Sequence, residues 1–378
     1  MADLPPVAEP RVALPSAEEG VSVASNWQLV WWRFRKHRLA VASTLLLLGL
    51  YAVVLCPDFF STQHPEATDA RLAFIPIQRV RLFDGVAVRP WVPAIVGKRN
   101  PTTLRMEWRL DEARKVPVRF FVTGYPYRLL GLVPTRLHLL GAAADAGGSV
   151  HLLGTDRLGR DQWSRLAHGT QTSMTIGLTA VTLSVVFGVL LGGISGYVGG
   201  LPDLVIQRVI ELLQSLPTIP IWLALTAALP RDWSPPQVFF AVTVILSLVG
   251  WTTLGREVRG RFLALREEDY VLAAELAGAS RARIIGRHMV PNFLSHIIAT
   301  GTLAIPAMII NETALSFLGL GIRPPAISWG VLLQEAQNIQ TLALAPWLLV
   351  PGVVVILAVL AFNLVGDGLR DAADPYGG

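Results

Sequence analysis

The sequence predicts an all-α membrane protein with six transmembrane helices, and its composition and apolar patterning support that prediction. Of the 378 residues, 52% are hydrophobic and only 16% are charged, a balance that is unusual for a soluble domain. A bilayer core of about 30 Å requires about 20 apolar residues in helical conformation. Six segments approach that length, and we number them spans 1 to 6. They cover residues 39–56, 175–197, 204–229, 238–254, 293–320 and 346–365.

The N-terminal part of the chain divides into a tail and an uncleaved span. Residues 1–25 are rich in proline and lack aromatic side chains, which predicts a disordered cytoplasmic tail. Residues 26–58 comprise a basic segment and span 1. This span starts too deep in the chain for a signal peptide, and Cys56-Pro57-Asp58 at its end is no small-residue cleavage site. Cys56 is the only cysteine, which excludes an internal disulfide and a cysteine zinc cluster.

The distribution of arginine predicts that both termini face the cytoplasm. Four basic residues precede span 1, namely Arg33, Arg35, Lys36 and Arg38. The loop between spans 4 and 5 carries seven arginines, whereas its two neighbours on the opposite side carry only Arg231 and Arg323. Because this charge lies beside apolar segments, the net charge of +5 indicates orientation in a membrane rather than nucleic-acid binding.

Residues 59–150 form a long connection between spans 1 and 2, which we interpret as an extracytoplasmic insertion. Loops longer than about 60 residues translocate largely regardless of charge, so the arginines of this one do not affect the orientation. Ile75-Pro76-Ile77, the Pro-Trp-Val-Pro run at 90–93 and the alternation at 116–122 are turn and strand signals. A small subdomain with some β-structure is therefore predicted here.

The loop between spans 4 and 5, residues 257–292, carries the pattern of two short helices. Asp269 is the predicted N-cap of the first helix, and Glu267 and Glu268 place negative charge at the positive end of its dipole. Gly278 is placed to end this helix, and Ser280 to cap the second one.

The first helix of this loop has a face of small side chains at helical spacing. Such a face buries little area against lipid but permits close approach of another backbone, which is the helix-in-groove mode of recognition. We therefore predict that it docks on a soluble partner. The alternative is a solvated helical hairpin whose alanines reflect helix propensity alone. The predicted docking residues are Asp269, Tyr270, Ala273, Ala274, Ala277, Gly278 and Ala279.

The order of residues in this loop is specific. It runs Tyr270-Val271-x-Ala273-Ala274-x-x-x-Gly278-Ala279-Ser280, then Ile284-Ile285, Arg287-His288 and Pro291-Asn292. This pattern resembles the coupling loop of ABC-importer permeases. In that family the loop docks into a cleft on the ATPase subunit and transmits nucleotide-driven motion. Leu272 stands where the family motif normally has a glutamate.

Other motifs narrow the resemblance. They include Gly154-Thr155-Asp156-x-x-Gly159-Arg160-Asp161, Gly196-Tyr197-x-Gly199-Gly200, Glu312-Thr313-Ala314-Leu315-Ser316 and Ser328-Trp329-Gly330. Together they resemble the permeases of dipeptide, oligopeptide and nickel importers, and most of all the second permease of the oligopeptide/dipeptide pair. The likeness runs from residue 33 to the end of the chain, apart from residues 61–145.

This resemblance implies a type I ABC importer permease fold with its core at residues 151–378, in the inner (plasma) membrane of a bacterial cell. It implies a non-catalytic subunit that forms half of an alternating-access pathway for peptides, with nickel and oligosaccharides as alternative substrates. The implied partners are a second homologous permease, two ATPase subunits that bind ATP and Mg, and an extracytoplasmic substrate-binding protein. No cofactor is implied for this chain, and Gly97-Lys98-Arg99 lacks the surroundings of a phosphate loop.

Polar residues within the spans are candidates for the transport pathway. Asn311 and Glu312 interrupt span 5 after Pro306, and ionisable groups inside a membrane usually face a protein interior or a water-filled cavity. We predict that both residues line the pathway. A hydrogen bond between packed helices is the alternative for Glu312.

Two further local predictions concern the ends of spans 2 and 3. The signature before span 2 is interpreted as an interfacial helix in which Asp161 and Arg165 pair one turn apart. Gly196, Gly199 and Gly200 mark a tight turn between the spans, and Asp203 is placed to cap span 3.

Two other classes of protein remain as alternatives. A proton-coupled secondary transporter would use Glu211, Glu312 and Asp367, but such folds usually show an internal repeat, and none is visible in this sequence. A membrane-tethered extracytoplasmic binding protein, enzyme or receptor would use residues 57–173 to hold its ligand.

Overall fold

The computed structural model describes residues 26–84, 87–102, 106–142 and 148–373. The tail predicted for residues 1–25 lies outside these ranges. Within them, five helical segments are long and apolar enough to cross a membrane, and a bent helix pair makes a sixth if it is counted as one span. The five segments are Arg38–Leu55, Gln162–Val198, Pro235–Leu265, Arg281–Phe317 and Pro346–Ala372, which correspond to spans 1, 2, 4, 5 and 6. The prediction of a helical, multi-pass membrane protein is confirmed.

Span 3 is a broken pair of helices. Gly200–Ser215 and Thr218–Ala227 meet at 90°. Leu216 and Pro217 between them are both extended, with ψ values of 142° and 124°. A residue before proline is pushed out of the helical region, and this accounts for the break. The predicted segment 204–229 is therefore correct in position but not a single straight helix.

The helical core is held together by the close packing of spans 2 and 4. Gly188, Gly192 and Gly196 recur every fourth residue on span 2 and face span 4. A methyl group on Gly192 would lie 2.4 Å from the carbonyl oxygen of Gly255, so the two backbones touch. Membrane helices approach this closely where small residues line their interface.

The connection between spans 1 and 2 contains a four-stranded antiparallel sheet in the order β1-β2-β3-β4. Its strands are Arg81–Asp84 (β1), Ala87–Arg99 (β2), Met106–Leu129 (β3) and Val133–Ala142 (β4). The long strand β3 pairs with β2 over its first half and with β4 over its second half. Some β-structure was expected here, and the sheet is larger than the local signals at 116–122 indicated.

The sheet has its own small core and is joined to the helices by shorter elements. Val92, Val116, Val118 and Val150 are buried together, apart from the core of the spans. The other helices are Asn26–Lys36, Pro57–Phe60, Asp269–Leu276, Arg281–Arg283, Leu294–Phe317, Trp329–Gln334, Ile339–Leu344 and Val350–Ala373. A π-helical turn covers Ile284–Met289, and 3-10 turns cover Ala70–Leu72, Val290–Phe293, Glu335–Gln337 and Pro346–Leu349.

Candidate functional site

The first helix of loop 257–292 is Asp269–Leu276, which we call the loop helix. Its N-cap is Glu268, so the prediction that Asp269 caps the helix is wrong by one residue. Asp269 occupies the first turn instead, where its charge still favours the helix dipole. Glu268 makes no side-chain capping bond, so the backbone turn fixes this boundary rather than the side chain.

The end of the loop helix follows the prediction. Gly278 has φ +78°, a conformation that glycine adopts without steric cost. Its N–H donates to the carbonyl of Glu275 at 2.9 Å, and the N–H of Ala279 donates to the carbonyl of Ala274 at 3.0 Å. This pair of bonds is the Schellman motif. The hydroxyl of Ser280 then accepts from the N–H of Arg283 at 3.4 Å, which confirms Ser280 as the second cap.

Only part of the predicted small-residue face points away from the protein, because Ala274 and Ala279 are half-buried and pack against the cluster around Val271. Ala273, Ala277 and Gly278 are exposed, whereas Val271 on the opposite side is fully buried. Leu276 is 91% exposed on the outward side, and sequence reasoning missed it. A leucine in a run of alanines gives no signal of its own, because helix propensity alone explains it.

The inward side of the loop helix anchors it to three spans. Val271 packs in a buried cluster with Phe262 of span 4 and with Ile284 and Phe293 on the way into span 5. The side-chain amide of Asn292 donates to the hydroxyl of Tyr270 at 2.7 Å. These contacts join the loop helix to spans 4 and 5.

A third link reaches span 2. The hydroxyl of Tyr197, in the last turn of span 2, donates to the carboxylate of Glu275. Neither residue was predicted to take part in the site, because they lie far apart in the sequence and belong to different elements. Side-chain contacts thus tie the loop helix to spans 2, 4 and 5.

The other end of span 2 also differs from prediction. Asp161 is the N-cap of span 2, and its carboxylate accepts from the N–H of Ser164 at 2.8 Å. It also contacts Nδ1 of His151 at 3.1 Å. The predicted pair of Asp161 with Arg165 is wrong. Arg165 is 2% exposed and donates to Asp156 and Glu335 instead. The predicted interfacial helix is the buried first part of span 2 itself.

The signature Gly154-Thr155-Asp156 is explained by contacts across the chain. The hydroxyl of Thr155 donates to the carbonyl of Leu72 at 2.6 Å and accepts from the N–H of Ile75 at 2.8 Å. Gly154 has φ +72°, and a methyl group there would lie 2.5 Å from the carbonyl oxygen of Ile75. The signature therefore binds the segment that follows span 1.

Asp203 links the broken span 3 to span 4. The guanidinium of Arg259 donates to both carboxylate oxygens of Asp203, at 2.6 and 2.7 Å. The hydroxyl of Ser195 donates to the same carboxylate. The N-cap of Gly200–Ser215 is Gly199, without a side-chain bond, so the predicted capping role of Asp203 is wrong. A bidentate partner on another helix outcompetes the local cap.

A cavity of about 770 Å³ lies between spans 2, 4 and 5 and the two helices of span 3. Asn311 lines this cavity, and its role in a transport pathway stays a prediction. Its other polar lining includes Gln214, Thr252, Glu257, His296 and Thr300. Nε2 of His296 and Oε2 of Glu257 are 3.2 Å apart, which joins spans 4 and 5 across the cavity wall.

Glu312 does not line the cavity. Its side chain is fully buried, and the hydroxyls of Ser173 and Ser316 each donate to its carboxylate at 2.7 Å. The hydroxyl of Ser173 in turn accepts from the N–H of Trp329 at 3.0 Å. Glu312 therefore joins span 5 to span 2 and to the segment after span 5. This arrangement corresponds to the alternative given for Glu312 in the sequence analysis, a hydrogen bond between packed helices.

A cavity between membrane helices, beside a helix that is tied to three of them, fits a transport subunit. Residues 188–376 match the family described as the binding-protein-dependent transport system inner membrane component. Residues 25–76 match the N-terminal TM domain of oligopeptide transport permease C. The chain belongs to the family of binding-protein-dependent transport system inner membrane components.

Three relatives illustrate the likeness. The oligopeptide transport system permease protein OppC of Bacillus subtilis is 37% identical over 60% of this chain and 72% of its own length. The dipeptide transport system permease protein DppC of Alkalihalophilus pseudofirmus is 39% identical over the same shares. A putative peptide permease protein of Brucella suis is 37% identical over 68% of this chain and 83% of its own length.

Among solved structures, a chain of an inward-facing MetNI methionine ABC transporter is similar at 15% identity. It covers 56% of this chain and 97% of that chain with a TM-score of 0.42, a level too low to support an argument. The family membership identifies this protein as the non-catalytic permease subunit of an ABC importer. The proton-coupled and tethered-receptor alternatives are not favoured.

Proposed function

We propose that this permease imports peptides. The support is that relatives at 37–39% identity carry the names oligopeptide and dipeptide permease. The cavity is lined mainly by apolar side chains, and the amide and hydroxyl groups among them, such as those of Gln214, Thr252 and Asn311, can pair with a peptide backbone. Uptake of labelled di- and oligopeptides by proteoliposomes that hold the purified complex tests this. Uptake of nickel or of an oligosaccharide in place of peptides would contradict it.

We propose that the outward face of the loop helix contacts an ATPase subunit. The observation that carries this proposal is the exposed row of small residues, Ala273, Ala277 and Gly278, on a helix bonded inward to spans 2, 4 and 5. ATP-driven closure of two ATPase subunits would displace the helix, and its inward contacts would carry the displacement to the cavity wall. Asp269 and Tyr270 border this row in the proposed coupling region, and Ala274 and Ala279 support it from the inner side.

The substitution Gly278→Asp tests this contact. A side chain at Gly278 meets nothing within 4 Å in this chain, and aspartate tolerates a left-handed backbone better than most residues. The fold should therefore survive while the added carboxylate obstructs the groove of the partner. We expect membrane insertion to be normal and ATP-driven uptake to be abolished.

The matched control is Gly286→Asp in the second helix of the loop. Gly286 also has open space around it but lies outside the small-residue face. We expect this control to retain uptake and to copurify with the ATPase. Normal ATP-coupled uptake by the Gly278→Asp variant would contradict the proposed contact.

The cavity lined by Asn311 forms one half of the transport pathway in this proposal. A second homologous permease would supply the other half, as the likeness to the second permease of the oligopeptide/dipeptide pair implies. Purification in mild detergent followed by mass spectrometry tests the assembly. We expect a second permease, ATPase subunits that bind ATP and Mg, and a substrate-binding protein. Isolation of this chain as a stable, unaccompanied protein would contradict it.

We further propose that the chain lies in the inner membrane of a bacterial cell, with both termini cytoplasmic and an extracytoplasmic insertion at residues 79–150. The N–H of Gln78 donates to the carbonyl of His151 at 3.2 Å, so the chain leaves and returns at adjacent points. Residues 61–78, by contrast, bond to the segment before span 2. Protease accessibility of the β2–β3 turn from the outside of intact spheroplasts tests the orientation.

A further inference from the structure

The hairpin formed by β3 and β4 ends in an exposed apolar tip. The hairpin tip comprises residues 129–133, with the sequence Leu-Leu-Gly-Leu-Val. Leu132 is 80% exposed, Leu130 59% and Val133 58%. An exposed group of large apolar side chains on a connection outside the spans marks a surface that something else covers.

Turn chemistry does not account for these leucines. Leu130 and Gly131 have φ values of +52° and +73°. Hairpin turns with two positive φ angles favour asparagine, aspartate and glycine, because a larger side chain is strained there. Leu130 bears this strain without being buried in its own chain. The geometry of the turn therefore does not explain a leucine at this position.

The middle of the hairpin lies at the membrane end of span 1. Span 1 ends at Leu55, and Asp58 follows in the next turn. The hydroxyl of Tyr125 on β3 donates to the carboxylate of Asp58 at 2.8 Å, and Nδ1 of His138 on β4 donates to its carbonyl at 2.7 Å. Both strands are thus held at the level where span 1 leaves the bilayer.

Aromatic side chains occupy the same level. The rings of Phe59 and Phe121 are 6.4 Å apart, and Phe121 itself is 62% exposed. The ring of Tyr127 lies 6.1 Å from that of Tyr125, which bonds to Asp58. Because Asp58 closely follows span 1, Tyr127 lies near the end of that span. At about 3.3 Å per residue, the tip begins within roughly 10 Å of Tyr127.

The charge of the hairpin matches a phospholipid surface. No aspartate or glutamate occurs from residue 113 to residue 144. Arg128 and Arg136 are exposed on the two strands that lead to the tip. Arginine at the border of an apolar patch can reach phosphate groups while its stem remains in the apolar layer.

We propose that the hairpin tip inserts into the leaflet on the side where span 1 ends, with Arg128 and Arg136 on the phosphate groups of anionic phospholipids. Leu130, Leu132 and Val133 enter the boundary between headgroups and acyl chains, as the apolar residues of interfacial segments do. The sheet is thereby attached to the membrane beside span 1. This inference is independent of the substrate and of the ATPase contact.

Spin-label accessibility tests the insertion. Cys56→Ser removes the only cysteine, and Leu132→Cys then gives a single nitroxide site at the tip. The full chain, with the subunits that copurify, is reconstituted in nanodiscs of phosphatidylethanolamine and phosphatidylglycerol. We expect collisions with oxygen to exceed collisions with a water-soluble nickel chelate. Leu130→Cys serves as a second site if the first variant fails to fold.

Two matched controls calibrate the result. Thr102→Cys lies in the exposed turn between β2 and β3 and reports water, and Leu48→Cys, exposed on span 1, reports lipid. We expect the label at Leu132 to resemble the one at Leu48, and its oxygen-to-nickel ratio to fall severalfold in purely zwitterionic nanodiscs. A label that behaves like the one at Thr102 would overturn the proposal. Low collision rates with both reagents would assign the tip to a protein partner instead and would equally overturn it.

Discussion

Single glycines on span 2 decide how closely the helices of the core approach. Gly192 lies against the carbonyl oxygen of Gly255 and the side chain of Val258, and a backbone oxygen cannot move aside as a flexible side chain can. Gly49 on span 1 also lies within a helix but has no neighbour within 4 Å. The two positions separate the effect of packing from the general effect of glycine in a helix.

We predict that Gly192→Ala destabilises the protein by about 1–3 kcal/mol, the usual cost of an added group in a packed interior. The midpoint of thermal unfolding in detergent measures this effect. Gly49→Ala should leave the midpoint unchanged or raise it slightly, because alanine favours a helix over glycine. Equal midpoints for the two variants would show that spans 2 and 4 do not touch as described.

Charged residues at the start of span 2 form a second residue-level feature. Asp156 is fully buried and accepts hydrogen bonds from both Arg160 and Arg165. Glu335 contacts the same two arginines from the segment after span 5. This network connects the start of span 2 to the segment that follows span 5.

We predict that Asp156→Asn lowers the stability by about 3–5 kcal/mol, because it removes a charge that compensates the buried Arg165. The yield of folded protein after size-exclusion chromatography and the thermal midpoint report the loss. Glu211→Gln is the control, since its pair with Arg208 is exposed and should contribute close to nothing. A midpoint that Asp156→Asn leaves unaltered would refute the structural role of the network.

At the scale of elements, the loop helix is connected to the membrane helices by side chains and not only by the chain itself. Tyr197 contacts Glu275 from span 2, and Asn292 contacts Tyr270 at the entry to span 5. The π-helical turn at Ile284–Met289 lies between the loop helix and span 5. Such turns are frequent at functional sites, where they interrupt the regular bonding of a helix.

We predict that Tyr197→Phe weakens the coupling of ATP hydrolysis to transport without preventing docking. The variant removes only the hydroxyl that bonds to Glu275, so the outward face of the loop helix keeps its residues. Copurification with the ATPase should persist, while the number of substrate molecules transported per ATP falls severalfold. The ratio is measured in proteoliposomes, with Tyr51→Phe on span 1 as control. An unchanged ratio would exclude span 2 from the coupling path.

At the scale of the whole molecule, the sheet has its own core and contacts the helical part both where the chain enters and leaves it and at Asp58, just after span 1. The sheet packs around its own valines, and Gln78 meets His151 where the chain enters and leaves it. Residues 70–78, in contrast, contact the signature before span 2 through Leu72 and Ile75. The boundary at residue 59 stays a prediction, and these contacts lead us to propose one after Gln78 instead.

We predict that replacing residues 79–150 with a short Gly-Ser linker leaves the permease core folded. The linker has to bridge only the short distance between Gln78 and His151. Membrane insertion, monodispersity in detergent and copurification with the ATPase are the measurements. Removal of residues 70–78 is the matched control and should abolish folding. If the variant with the linker aggregates while the variant without residues 70–78 folds, the proposed boundary after Gln78 is contradicted.

The sequence by itself determined the features that depend on composition and on local backbone geometry. The length and apolarity of the spans, the positive φ of Gly278 and the cap at Ser280 all follow from interactions within a few residues. The family motifs could also be recognised from the sequence alone, because recognising them requires no knowledge of tertiary contacts.

Only the tertiary structure determined which polar groups pair with the charged residues. The sequence predicted a local pair for Asp161, a capping role for Asp203 and a pathway role for Glu312. In the structure each of these carboxylates contacts a side chain on another element. A buried charge is stabilised by the strongest hydrogen-bond donor that packing brings close to it. The spacing of residues in the sequence does not reveal which donor that will be. The fold therefore assigned Asn311 to the cavity and its neighbour Glu312 to the packing between helices.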